Sequence, residues 1–378
     1  MSNSPLSRRL QQKLAERAAQ GNLRALKTTT GLADFCSNDY LGLARSEKLR
    51  ELIREEEVNY KHLPLGATGS RLLSGNHPLF EELETIVAAY HKGESALLFN
   101  SGYMANVGLL SALPQRGDTV FYDEASHASM KDGLRLSFAK SYSFRHNDVQ
   151  DLRQKLKLAT GQIYVVVESV YSMDGDKAPL QELAIVCEEH NAALIVDEAH
   201  AVGLYGPNGE GLTIALGLQD KVFAQVITYG KAMGSHGAAI VGPKVLREFL
   251  INYSRAFIYT TGLPTHALLA LKCAYSLLPL LQPIRERVKQ LAAQLYEQLN
   301  TVKGIRCTPA DSVILSVFTE DSVQLKPLAQ SLQQQGFDVR PVLSPTVPKG
   351  KERLRVIVHA YNTEEEIVGL VQAIANHL

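Results

Sequence analysis

No charge is left over in this sequence. Lys and Arg together number 39, Asp and Glu together number 39, and the formal net charge is zero. A chain built around a nucleic-acid polyanion or an anionic membrane surface carries a basic excess, so neither is expected as the main ligand. Cysteine is scarce as well. Cys36, Cys187, Cys273 and Cys307 lie far apart, with no C-x-x-C among them. That pattern offers neither a zinc ribbon nor a redox pair, and the four read as reduced core thiols; no metal site is expected. The opening "MSNSPLSRRLQQ" lacks the apolar core of a secretory signal. Only "GLPTHALLALKCAYSLLPLLQPI" (262–284) approaches the apolarity of a membrane span, and Lys272 sits at its centre between Pro264 and Pro279. A central lysine costs about 3 kcal/mol on insertion, so a buried core helix is the better reading. A cytoplasmic protein is expected.

What the sequence does have is alternation. The chain of 378 residues is long for a single core, which favours two domains or one large domain with an appendage. Leu6, Leu10 and Leu14 recur at i+4 after Ser4-Pro5, the pattern of a short amphipathic helix with a basic outer face. An irregular arm follows through "TTTGLADFCSNDYLGL". From about residue 46, strand and helix patterns alternate. "SALLF" (95–99), "TVFYD" (119–123), "IYVVVES" (163–169), "ALIVD" (193–197), "AQVIT" (224–228) and "AAIVG" (238–242) read as strands. Several are unbroken apolar runs, as strands covered on both faces are. Helical stretches such as "PLQELAIVCEEHN" (179–191) lie between them. The alternation predicts an α/β fold with a mostly parallel sheet and helices on both sides. After a long helical pattern near 264–300, "SVILSVFT", "LKPLAQSLQQQGFDV" and "ERLRVIVHA" read as strand, helix and strand before a last helix over about 363–377. These predict a smaller C-terminal α+β domain. The expected division is an N-terminal helix and arm over 1–45, a large domain over 46–284 and a small domain over 285–378.

Open α/β sheets bind ligands outside the carboxyl ends of their strands, so those ends locate the candidate chemistry. "ALLF" runs into Asn100, Ser101, Gly102 and Tyr103; a Gly-containing turn opening a helix presents free N–H groups to an anion. "TVFYDEAS" leads to His127, and "VVVES" to Tyr171, Ser172 and the turn "MDGD". "ALIVD" closes on Asp197, followed by Glu198 and His200. "AQVIT" closes on Thr228 and leads to Lys231 in "TYGKAMGSHGAA". Taken singly, each has a plain structural account: an N-cap, a helix-start histidine, a turn, a surface lysine in a Gly-rich hairpin. Taken together, they put a phosphate-type turn, two histidines, a buried acid and a lysine along one sheet edge. A lysine in apolar surroundings loses proton affinity and becomes a competent nucleophile and base. A Schiff-base lysine, an acid for the ring nitrogen and a phosphate anchor are the parts that pyridoxal 5'-phosphate needs. Gly230 is expected to let the chain turn sharply toward the ring, and Gly234 and Gly237 to let backbone pass close beside the cofactor.

The ordered motifs "SNDYLGL", "GSRLLSGNHPLFEELE", "DEASHASM", "ESVYSMDGDKAPL", "VDEAHAVGLYG", "TYGKAMGSHGAA" and "PTVPKGKERLRV" resemble those of the α-oxoamine synthases. These are pyridoxal-phosphate enzymes of the aspartate-aminotransferase fold (fold type I). The resemblance runs from about residue 17 to the C-terminus. It implies that Lys231 carries the Schiff base, Asp197 pairs with the pyridinium nitrogen, and His127 stacks on the ring beside the substrate. It places His200 and Ser172 near the ring oxygen, and Gly102, Tyr103 and Thr228 at the cofactor and its phosphate. Arg355 matches the arginine that grips the amino-acid carboxylate, with Asn38 near it; a bidentate guanidinium suits that task. Arg24 and Thr346 match acyl-substrate positions. Thr260 and Thr261, in "YTTGLP", match a segment reaching the phosphate of a neighbouring subunit, which implies a homodimer. Within the family, the short N-terminus, "GSRLLSGNHPL" and "SMDGDKAPL" are most similar to the biotin-pathway branch. That branch joins L-alanine to a pimeloyl thioester carried on coenzyme A or on an acyl carrier protein. Where some members carry an arginine near the acyl site this chain has Leu343, and Arg340, three residues upstream, is the candidate substitute. Rival readings are a sister synthase using glycine and another acyl thioester, an aminotransferase, and an inactive partner subunit of the same fold.

Overall fold

Strand and helix alternate through the chain because apolar runs that need cover on both faces are followed by amphipathic segments that can supply it. The computed structural model describes residues 4–21, 23–26, 28, 30–344 and 346–377. Its arm contributes a two-residue strand, β1 (Ala33–Asp34). The chain then builds a seven-stranded sheet from β2 (Ser95–Phe99), β3 (Thr119–Asp123), β4 (Lys140–Phe144), β5 (Ile163–Glu168), β6 (Ala192–Asp197), β7 (Ala224–Thr228) and β8 (Ala238–Gly242). The order across the sheet is β2-β8-β7-β6-β5-β3-β4. Strands β3 to β7 pair in parallel, and β8 alone runs against its neighbours. The six expected strands form at or within a residue of their expected bounds. The seventh, β4 ("KSYSF"), was not expected, since as an edge strand it leaves Lys140 and Ser141 exposed and lacks an apolar run.

The long apolar stretch is a core element. Thr265–Leu277 is helical, a 3-10 turn follows at Leu278–Leu281, and Gln282–Leu299 is helical again. The segment is long and apolar enough to cross a membrane, but half of its most apolar window is buried inside the protein. Lys272 is accounted for in the fold. Its Nζ lies 2.5 Å from Glu56 and 2.8 Å from Glu82, and donates to the Tyr60 hydroxyl at 2.8 Å.

A second, four-stranded antiparallel sheet of order β12-β13-β10-β9 follows. Its strands are β9 (Ile305–Cys307), β10 (Ile314–Thr319), β12 (Arg340–Val342) and β13 (Arg353–Ile357), with β11 (Phe337–Asp338) pairing in parallel with β1 of the arm. The last helix, Glu364–Ala375, opens on a capping box from Thr363 and Glu366, which satisfies two orphan N–H groups reciprocally. Two consequences reach the site. The arm pairs with β11, and the Phe35 and Tyr40 carbonyls accept from the Ile357 and Ala360 N–H groups at 2.9 Å each, so the arm is held along the end of β13. Arg355 lies on an inner strand, opposite Ser316 and Arg340. The N-terminal helix forms over Pro5–Ala19 with the expected period, but Leu6, Leu10 and Leu14 all stay exposed on the single chain.

Candidate active site

Five strands of the large sheet deliver their C-terminal residues to one cavity of about 220 Å³. It is lined by Ser101, Gly102 and Tyr103 after β2, His127 after β3, Glu168 of β5, Asp197 of β6, and Thr228 with Lys231 after β7. Ala199, His200, Asn106, His236 and, from the arm, Asn38 are also part of the wall. Lys231 stands in the hairpin between β7 and its antiparallel neighbour β8. Among the described residues, its amine makes no hydrogen bond or ion pair. Burial lowers its pKa, with the nearby Arg355 charge adding to that; Asp197 and Glu168 oppose it. A lysine so placed holds its neutral, nucleophilic form more readily.

Gly230 and Gly234 act differently from expectation, while Gly237 lines the cavity as expected. Gly230 has no left-handed φ, and a Cβ there would meet nothing nearer than the Ser235 carbonyl at 3.9 Å, so the turn does not require glycine at that position. Gly234 has φ +59°, and a Cβ there would fall 2.2 Å from the Ala44 nitrogen. The close passage is therefore of the hairpin against the arm. Gly237, at φ +111°, lies against Leu263 and the Phe99 carbonyl.

Asp197 is fixed by two donors. Asn106 Nδ2 donates to Oδ2 at 2.7 Å, and the Ala199 N–H donates to Oδ1 at 2.9 Å. Asn106 also donates to Ser129 at 3.1 Å. Ser129 in turn lies 2.8 Å from His127 Nδ1, which caps the helix Ala128–Leu136. Desolvation in the cavity and the charge of Lys231 lower the His127 pKa against the pull of Asp197, so the ring is neutral at neutral pH. Glu168 was not singled out from the sequence. It is buried beside Asp197 in the sheet register, accepts the His127 N–H at 2.6 Å, and is pushed up to about 8, first by desolvation and then by the Asp197 charge.

At the other end of the cavity, Ser101 caps the helix Gly102–Ala112 by accepting from the Met104 N–H at 3.2 Å. The first-turn N–H groups of a helix have no intrahelical acceptor. A Cβ on Gly102 would sit 2.5 Å from Thr228 Cγ2, so only glycine lets this helix start meet the end of β7. Thr228 Oγ1 is buried without a hydrogen-bond partner among the described residues. An unpaired hydroxyl beside open N–H groups fits a phosphate, and the unpartnered amine and anchored carboxylate fit a pyridoxal ring between them. Tyr103 lines the cavity while its hydroxyl donates to Asp132 at 2.5 Å.

Arg355, on the second sheet, does not line the cavity but reaches its wall at Asn38. Its Nε donates to the Ser172 carbonyl at 2.6 Å and its Nη2 to Asn38 Oδ1 at 3.1 Å. Ser172, expected at the cofactor, does not line the cavity; its carbonyl holds the Arg355 guanidinium instead. Among the described residues no carboxylate pairs with Arg355, which leaves its charge for a ligand. Arg340 is different: Asp338 accepts from it at 2.6 and 3.2 Å. Arg340 nevertheless lines a larger neighbouring cavity of about 1270 Å³ with Arg24, Leu343 and Thr346; Pro345 of the same loop lies outside the described residues. Arg24 Nη2 reaches Thr346 Oγ1 at 3.5 Å. Ser37 lines the outer cavity and Asn38 the inner one, so the arm forms the wall between them. Thr260 and Thr261 do not line the inner cavity of their own chain. Asn100 Nδ2 donates to Thr260 Oγ1 at 3.2 Å and to the Thr261 carbonyl at 2.8 Å.

The family described as aminotransferase class I and II matches residues 30–374. An 8-amino-7-oxononanoate synthase from Emericella nidulans is 41% identical over 367 residues, covering 91% of this chain and 89% of that protein. A solved serine palmitoyltransferase from S. paucimobilis, with a bound PLP–myriocin aldimine, superposes with TM-score 0.90 at 28% identity over 99% of this chain and 98% of its own. A solved 8-amino-7-oxononanoate synthase from Francisella tularensis superposes with TM-score 0.77 at 28% identity, over 91% and 97%.

Proposed function

The chain belongs to the class I and II aminotransferase family, and from that premise we propose that it is a pyridoxal-phosphate-dependent 8-amino-7-oxononanoate synthase of biotin biosynthesis. It condenses L-alanine with a pimeloyl thioester and releases CO₂ and the thiol. The observation that carries this reading over a sister synthase is the 38–41% identity, over most of the chain, to several synthases of that name. The cofactor, when bound, supplies an electron sink for the α-carbon. Ser101, Gly102, Tyr103 and Thr228 would hold its phosphate, Asp197 its ring nitrogen and Lys231 its aldehyde carbon.

The chain's own groups supply the rest. Arg355 and Asn38 bind the alanine carboxylate and aim the α-hydrogen at Lys231. The depressed pKa of Lys231 favours the neutral amine, and that form takes this proton and returns one to the same carbon after CO₂ departs. His127, neutral, covers the reacting face and excludes water. The thioester enters through the outer cavity, where Arg24 has no acidic partner among the described residues. Arg24 is therefore a better holder of the distal carboxylate than Arg340, whose charge Asp338 already meets.

The assembly is a homodimer. Thr260 and Thr261 reach the phosphate bound by the partner subunit, and the exposed stripe of Leu6, Leu10 and Leu14 supplies apolar surface for the contact. The arm (1–45), the cofactor domain (46–284) and the small domain (285–378) act as the three working parts of a cytoplasmic enzyme. The acyl group arrives on coenzyme A or on an acyl carrier protein. An activity matrix of amino acids against acyl thioesters, read by product mass, tests the reading. Alanine with pimeloyl thioester is the expected best pair; glycine with a shorter or longer acyl group as the best pair would make the chain a sister synthase.

A further inference from the structure

Tyr40 is fully buried in the arm, yet its hydroxyl touches two groups of the site. It lies 2.6 Å from His200 Nδ1 and 3.2 Å from Asn38 Oδ1. A phenol has one proton, so it serves one of them as donor. The distances decide which. A separation of 2.6 Å is within the range of an O–H donor and short for an N–H donor, while 3.2 Å is beyond the usual O–H···O range. The Asn38 oxygen already accepts from Arg355, an obligate donor, and the positive charge of Arg355 bears on the phenol. That charge favours the phenol oxygen, not its proton, on the guanidinium side. His200 is neutral, because burial, with the Lys231 and Arg355 charges adding to it, holds its pKa well below the usual value. With Nδ1 accepting, the one ring proton of a neutral imidazole sits on Nε2.

We propose that Tyr40 is a positioning residue that locks His200 in its Nε2–H tautomer and so makes the imidazole a hydrogen-bond donor into the inner cavity. Among the described residues Nε2 has no partner, so the donation is kept for a ligand. The ligand that fits is an oxyanion on an aromatic ring, and this part rests on the function proposed above. The same phenol abuts the Asn38–Arg355 pair, so occupation of the carboxylate site is felt at His200 through one buried hydroxyl.

The test begins on the cofactor-free full chain with ¹⁵N-labelled histidine, which makes it independent of the enzymatic reading. Long-range ¹H–¹⁵N correlation should give His200 a pyrrole-type Nε2 and a pyridine-type Nδ1 at neutral pH. Tyr40→Phe should abolish that clean pattern and give a mixture of tautomers. A pyrrole-type Nδ1 in the unaltered protein overturns the proposal, and so does an unchanged pattern in Tyr40→Phe. If Tyr40→Phe fails to fold, 3-fluorotyrosine incorporation replaces it. The more acidic phenol should shift the His200 Nδ1 resonance, and no shift again overturns the proposal. With pyridoxal 5'-phosphate bound, Tyr40→Phe should also change the absorbance ratio of the cofactor bands. The expected tautomer with an unmoved cofactor spectrum would leave the Tyr40 lock standing and refute only the placement of His200 at the ring.

Discussion

Arg355→Ala should cut the affinity for alanine far more than it disturbs the fold. Arg355 makes two hydrogen bonds, one to a backbone carbonyl and one to an amide oxygen, and meets no carboxylate among the described residues. Its positive charge is thus uncompensated until an amino acid arrives. Removing a charge-assisted contact to a partly desolvated carboxylate costs about 2–3 kcal/mol, which is roughly a 30- to 150-fold rise in Kd. The same arginine helps to depress the Lys231 pKa, so its loss should move that pKa upward. Titrating alanine into the cofactor-loaded protein and following the cofactor absorbance measures the first effect. The pH dependence of Lys231 labelling by an amine-reactive reagent in the cofactor-free protein measures the second. An unchanged alanine Kd in Arg355→Ala would refute the assignment of the carboxylate site, whatever happened to turnover.

Asp197→Asn should retain part of the cofactor but lose most α-proton exchange with alanine in deuterated solvent, because the ring nitrogen loses its anionic partner; exchange at the original rate would remove Asp197 from that role. Gly234→Ala should destabilise the protein by about 3 kcal/mol or more, from a left-handed φ and a backbone clash with Ala44, whereas Gly230→Ala should stay within about 1 kcal/mol; denaturant midpoints compare them. His146 joins Asp123 at 2.9 Å and Asp176 at 2.7 Å, and these carboxylates raise its pKa to about 10 against the effect of burial. A raised pKa stabilises fully below the unfolded value near 6.5 and loses that stabilisation as pH climbs through about 10. The wild type should therefore weaken between pH 7 and 10, and His146→Ala should be less stable at pH 7 with a flatter profile. Identical pH profiles of urea unfolding would count against the imidazolium clamp. Arg24→Ala should raise the pimeloyl thioester requirement and leave alanine binding alone, with Arg340→Ala the milder variant; the reverse order in steady-state titrations would return the distal carboxylate to Arg340.

The strands most legible in the sequence were those buried on both faces, since continuous apolar runs such as "ALIVD" and "AQVIT" have no other good use in a soluble fold. β4 was hidden because an edge strand needs only one apolar flank. The direction of β8 was equally hidden, because "AAIVG" reads the same whichever way it pairs. At the site, Lys231, Asp197, Thr228 and His200 were legible because each stands at or just beyond the carboxyl end of an apolar strand. Glu168 closes "IYVVVE" as Asp197 closes "ALIVD" and stands beside it in the sheet register, so the same strand-end position marks it. Tyr40, Asn106 and His146 act through partners far off in sequence, such as His200 at 160 positions' remove, and no local pattern marks them. The expectation for Gly230 failed because a glycine beside a functional lysine need not be the strained one. The constraint fell on Gly234, where the arm passes.

The central claim, that this site joins an amino acid to an acyl thioester with loss of the amino acid's carboxylate, is tested most directly with carboxyl-¹³C alanine and pimeloyl-coenzyme A. Decarboxylative joining at this site should give equimolar ¹³CO₂ and free thiol, a product with the mass of 8-amino-7-oxononanoate, and none of the three with Lys231→Ala. Thiol release without ¹³CO₂, or an equal yield from Lys231→Ala, would contradict it.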